Sequence, residues 1–178
     1  ARRSAAMERS IEMAYDKLLL TRMAELTPVH RQFGDHDEFD NFAVIAKTDH
    51  HHCSVAFYRL PPGKANFPYH YHECNEEVFY IVSGRGVVLT EEGEQPIAAG
   101  DVIFCPATPG GAHKIANTSA DEPLIYLEFD TINDPDIAHY PKTGAFGIIR
   151  RDSARSEFFP REPTLNYARD VETPEKDW

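Results

Sequence analysis

From residue 54 onward the chain is cut into short apolar–polar alternating stretches by glycine and proline, and that punctuation leaves room for little but an all-β architecture. Residues 54–60 place Val55, Phe57 and Arg59 on one face and Ala56, Tyr58 and Leu60 on the other, and Pro61-Pro62-Gly63 ends the stretch. Residues 78–82 and 86–90 read as strands joined through Ser83-Gly84-Arg85, a hairpin signal. A turn at 91–94 follows, then short strands at 96–98, 102–105, 113–116 and 124–129. Strands this short, at this spacing, predict a sandwich or barrel. With 178 residues and 42% hydrophobic side chains, the chain is expected to hold one such domain with appended segments.

Inside this pattern sits a concentration of metal-ligating side chains. His70 and His72 stand two apart, so on extended backbone both imidazoles point to the same face. Glu77 follows closely, and His113 stands behind a second Pro/Gly turn. Three neutral imidazoles and one carboxylate suit a divalent transition ion and would leave one or two coordination positions for water or substrate. Glu76 competes with Glu77 for the carboxylate position. The triple histidine His50-His51-His52 is a weaker candidate, because consecutive side chains on a strand alternate faces and cannot converge on one ion; a turn or edge strand is expected there.

The two clusters carry a recognisable frame. Gly63-x6-His70-x-His72-x4-Glu77-x6-Gly84 and Gly100-x5-Pro106-x3-Gly110-x2-His113-x3-Asn117 resemble the paired motifs of the cupin family, G-x5-H-x-H-x(3,4)-E-x6-G and G-x5-P-x-G-x2-H-x3-N. One extra residue precedes His70 and two lie between Pro106 and Gly110, both in turns, where insertions cost little. The resemblance implies a double-stranded β-helix, or jelly-roll barrel, with one divalent ion inside, held by His70, His72, Glu77 and His113. Glu77 is preferred over Glu76 because Gly84 then falls at the family distance. Mn, Fe, Zn, Ni and Co are not distinguished by such a set. The single barrel is similar to the mannose-6-phosphate isomerase-like cupins, which implies an enzyme acting on a small polar substrate, isomerase-type, on a sugar or sugar phosphate. An iron-dependent dioxygenase and a non-catalytic small-molecule binding or sensing module are the alternatives. Tyr58, Arg59, Tyr69, Tyr71, Tyr126 and Glu128 are candidates for a general base, which strand parity alone does not sort. Few basic residues lie near the motifs in sequence, which weighs against a phosphate.

The remaining features bound partners and flanks. A formal charge of −11 argues against nucleic acid or an anionic membrane surface. No apolar run is long enough to span a bilayer, and the N-terminus lacks the apolar core of a secretory signal. Cys53, Cys74 and Cys105 are too few and scattered for a disulfide framework, so a cytoplasmic protein with reduced thiols is expected. A helical extension is expected over residues 1–30, its helix spanning 4–26. The barrel is expected over 31–149, with an acidic loop at 34–41 and a strand at 42–47. Residues 133–144 read as a turn and an extended link, 146–149 as one more strand. A charged, proline-punctuated arm is expected over 150–178, with Phe158, Phe159, Tyr167 and Trp178 as its anchors. Helix or arm crossing to a second copy would give a homodimer, and the family resemblance adds pairing through sheets.

Overall fold

The structure, a computed structural model, describes residues 17–160. Along them run strands β1 (Val29–Phe33), β2 (Asp37–Ile45), β3 (Cys53–Leu60), β4 (Tyr71–His72), β5 (Glu77–Ser83), β6 (Arg85–Thr90), β7 (Gly93–Ala98), β8 (Val102–Cys105), β9 (Lys114–Ala116), β10 (Leu124–Thr131), β11 (Asp136–Tyr140), β12 (Ala145–Ile149) and β13 (Glu157–Phe159). They pair antiparallel in three sheets, ordered β1-β2-β3-β10-β5-β8, β13-β12-β11-β4 and β7-β6-β9. This is the expected all-β double-stranded β-helix.

Inward faces of the strands supply the core. Tyr58 and Leu60 of β3, Phe79 and Ile81 of β5, and Leu124 and Tyr126 of β10 meet Val88, Ile97 and Ile115 from the smaller sheet. The alternation read from sequence therefore fixes which residues of β3 face in, while Arg59 points outward to Asp40 at 2.7 Å. Gly84 joins β5 to β6 at φ 83°, and a Cβ there would stand 2.4 Å from the carbonyl oxygen of Pro123. Only glycine fits both constraints.

Several expectations are corrected. Residues 34–41 are not an acidic loop: only Gly34-Asp35-His36 turns, and Asp37 already begins β2. The charges there pair with cations, Asp37 with Lys114, Glu38 with Lys64 and Asp40 with its cross-strand neighbour Arg59, while Phe39 between them is buried. Residues 136–140, read as turn and link, form β11, which pairs with β4 and β12. Of the helix expected over 4–26, residues 4–16 lie outside the described residues. Residues 17–26 form only one 3-10 turn, Met23–Glu25, with Leu18 and Leu20 exposed. An apolar stripe with no surface to pack against does not hold a helix in water. At the other end, β13 seats Phe159 against Phe146 and Phe158 near Tyr140, while Tyr167 and Trp178 lie outside the described residues. His50 to His52 follow a 3-10 turn, Lys47–Asp49, with His50 in the left-handed region at φ 60°.

Candidate metal centre

Two backbone devices bring the histidines together. His70 and His113 exchange both backbone hydrogen bonds as an isolated antiparallel bridge, N to O at 3.1 and 2.9 Å. Residues paired in this way carry their side chains on one face. His72 lies two residues on, so it shares that face, and the ring centroids of His70 stand 5.0 Å from His72 and 4.9 Å from His113. Glu77 opens β5 beneath them. Before His113 the chain tightens through the 3-10 turn Pro109–Gly111, where a Cβ on Gly111 would meet the Pro106 carbonyl oxygen at 2.1 Å. The glycine that this turn requires is therefore Gly111, one residue beyond the Gly110 of the sequence frame.

All four sequence candidates are buried. His70, Glu77 and His113 offer ligand atoms that all lie within 4.8 Å of one another. Glu77 Oε2 stands 3.5 Å from His113 Nε2, and Glu77 Oε1 stands 3.6 Å from His72 Nε2. Donors sharing one ion at about 2.1 Å are themselves about 3–3.5 Å apart, so His70, Glu77 and His113 could hold a divalent ion, while His72 falls outside that 4.8 Å group and reaches it through Glu77. Glu76 is exposed, its backbone N–H donating to Thr131 Oγ1 at 2.8 Å; the structure thus sets Glu77, not Glu76, among the imidazoles.

The far ring nitrogens are tied down. His70 Nδ1 faces the Pro68 carbonyl at 2.8 Å, and His113 Nδ1 faces the Gly111 carbonyl at 3.0 Å. His72 Nδ1 is hydrogen-bonded to Asp136 Oδ2. With Nδ1–H donating in each case, every Nε2 lone pair is left for the common centre, the arrangement that orients imidazole ligands. Burial, then the neighbouring His113 and His72, hold His70 well below the usual imidazole range, which keeps it neutral. Burial works against protonation of His72, but the hydrogen bond to Asp136 and the Glu77 charge outweigh it and raise that ring.

Next to the imidazoles lies a second acidic group. Glu77, Glu128 and Asp130, all buried, have carboxylate oxygens within 4.8 Å of one another. Lys47 Nζ stands 2.9 Å from Asp130 Oδ2, while Asp130 Oδ1 is buried with no hydrogen-bond partner. Burial first, then the charges of Glu77 and Asp130, push Glu128 well above the usual carboxylate range. One lysine against three crowded carboxylates leaves the centre short of positive charge, a deficit that a dication would supply.

The other candidates separate by position. Glu128 and Tyr58 line a cavity of about 780 Å³ whose wall also includes His70, His72 and Glu77. Tyr126 is fully buried, its hydroxyl accepting from Asn66 Nδ2 at 3.1 Å. Arg59 is on the outer face; Tyr69 lies under Lys142 and Tyr71 against His139. Cys74 is exposed. Asn117, at the end of the second motif, is a pin rather than a donor, bonding the carbonyls of Leu60 and Glu122. Sequence reasoning missed Lys47, Asp136 and Tyr140, the last stacked 6.0 Å from His70. None stands at a motif spacing, and an acid directly after Pro135 was the one faint signal for Asp136. The scarcity of basic residues near the motifs is also corrected by folding: Arg31, Lys47, Arg150 and Arg151 all line the cavity.

Comparison with known proteins agrees with this geometry. A family profile described as the cupin domain matches residues 56–130. An oxalate-binding protein of Thermotoga maritima is 34% identical over 104 residues, covering 56% of this chain and 84% of the relative. Among solved structures, a predicted oxalate decarboxylase of Thermotoga maritima is 30% identical with a TM-score of 0.55, over 65% of this chain and 100% of its own. A protein of Acidithiobacillus ferrooxidans assigned as a sugar phosphate isomerase has a TM-score of 0.70 at 24% identity, over 83% of this chain and 95% of its own; at that identity the fold alone is shared. Fold, motif frame and a relative matched over most of its length together place the chain in the cupin family.

Proposed function

We propose that this cupin is a metal-dependent enzyme acting on a small polar molecule of sugar size, in an isomerase-type reaction, with one divalent ion held by His70, His72, Glu77 and His113. The observation that carries the reading is the convergence of His70, Glu77 and His113, with His72 Nε2 3.6 Å from Glu77 Oε1, beside a 780 Å³ cavity whose wall includes His70, His72 and Glu77. Four protein ligands leave at least one position of a five- or six-coordinate ion facing that space. When bound, such an ion would polarise a carbonyl or hydroxyl oxygen of the substrate. The chain's own part is to orient and to move protons. Tyr58, Phe67 and Tyr140 form an aromatic wall that limits water, and Glu128, facing the same cavity, is the side chain placed to hold and release a proton.

Elemental analysis of protein purified without chelators tests the site: about one ion per chain is expected, lost in His70→Ala and His113→Ala. Both variants retaining the ion would overturn the assignment. Aldose–ketose interconversion across a sugar panel tests the reaction. Oxygen consumption by the iron-loaded protein would move the reading to a dioxygenase. Saturable binding without turnover would move it to a binding module, a reading favoured by the relative described as an oxalate-binding protein.

A homodimer and a reducing compartment complete the proposal. Tyr80 and Val82 of β5, Val102 and Phe104 of β8 and Phe129 of β10 are exposed on one outward face of the large sheet, next to its β8 edge. A contiguous apolar face of this kind suits a second copy. All three cysteines are unpaired, as expected in the cytoplasm. Among the described residues no helix is long and apolar enough to cross a membrane.

A further inference from the structure

Although the chain carries a formal charge of −11, the wall of the cavity has the opposite balance. Four cationic side chains line it, Arg31, Lys47, Arg150 and Arg151, against two carboxylates, Glu77 and Glu128. Two of the four have a structural employment: Lys47 pairs with Asp130, and Arg151 Nη1 donates to the carbonyls of His51 at 2.8 Å and Lys47 at 3.3 Å. The other two do not. The guanidinium groups of Arg31 on β1 and Arg150 after β12 have no hydrogen-bond or ion-pair partner among the described residues; only the backbone N–H of Arg150 is engaged, with Ser156 Oγ. Both come from segments outside the matched residues 56–130. An acidic protein that places on the wall of an aromatic cavity guanidinium groups without a partner among the described residues presents planar donors suited to an oxyanion.

We infer that the substrate is a small organic oxyanion, a carboxylate or phosphate ester, whose charged group is held by Arg31 and Arg150 while its reacting end faces the imidazole cluster. The inference rests on the metal-dependent reading above and deepens it. Arg151, by fastening the 47–51 turn to the C-terminal segment, positions this wall and does not bind the anion itself.

Calorimetric titration of the metal-loaded full chain with inorganic phosphate, with oxalate and with uncharged glucose tests it, using Arg31→Gln, Arg150→Gln and the surface control Arg85→Gln. Phosphate or oxalate is expected to bind more tightly than glucose, and whichever is preferred identifies the phosphate or the carboxylate class. Each cavity variant should weaken that anion about five- to tenfold, with unchanged melting and metal content, and Arg85→Gln should not. Wild-type protein that binds neither anion, or cavity variants that bind as wild type, would overturn the inference. Metal content is read separately: an ion-free wild type would refute the metal assignment, while the arginine dependence of anion binding would still decide this one.

Discussion

Asp136→Asn is the sharpest perturbation of the centre, because it changes one atom and leaves the shape. Asp136 is fully buried, and its two oxygens are both committed: Oδ2 to His72 Nδ1, and Oδ1 to the backbone N–H of Cys74 at 3.0 Å. An asparagine has only one acceptor, so one of the two N–H groups must lose its partner. If the Cys74 bond survives, the new amide presents N–H to His72 Nδ1, favouring the tautomer whose proton sits on Nε2 and removing that lone pair from the centre. If the His72 bond survives, the Cys74 N–H loses its acceptor in a half-buried position, at about 0.5–1.5 kcal/mol. Loss of an outer partner of a metal-bound histidine lowers affinity about 10–100-fold, which is about 1.4–2.7 kcal/mol. Competition titration of zinc against a chromophoric chelator measures the first effect, and thermal unfolding of the metal-free protein measures the second. A variant within twofold of wild type in zinc affinity would refute the claim that Asp136 orients His72.

Glu128→Gln separates stability from pH in the metal-free protein. Burial and then the charges of Glu77 and Asp130 raise the Glu128 pKa, so between the ordinary carboxylate value and the folded one the native state holds a proton that the unfolded chain has released. Stability therefore falls as pH rises through that window. The variant should melt higher than wild type at about pH 8 and equally below about pH 4; a gap that does not grow with pH would count against the assignment. Gly111→Ala should destabilise by about 1–3 kcal/mol through the 2.1 Å approach to Pro106, and chemical denaturation reads it. Light scattering should return twice the 20.2 kDa chain mass, and Phe104→Glu should halve it; wild-type protein running as a single chain would end the dimer proposal.

The division between what was legible in the sequence and what was not follows the range over which each constraint acts. Tyr58 and Leu60 face the core because alternation is a two-residue rule, and His70 and His72 share a face for the same reason. Glycine and proline mark turns by their own backbone preferences, so the strand boundaries from 77 to 105 were readable to within one residue except at β7, which begins at Gly93 inside the expected turn and not at 96. The errors occur where a charged residue earns its place through a partner far along the chain. Asp37 and Asp40 read as loop because Lys114 and Arg59 are not visible beside them. Asp136 reads as turn because His72, 64 residues away, is what justifies burying it. Arg31 and Arg150 look like surface charge because the cavity between them exists only after the sheets close. The family motif captures the centre of the barrel, where backbone pairing fixes the histidines. On the proposed reading, the residues that would meet the substrate, Arg31 and Arg150, stand on either side of that motif, so the flanks are where this cupin's specificity is to be sought.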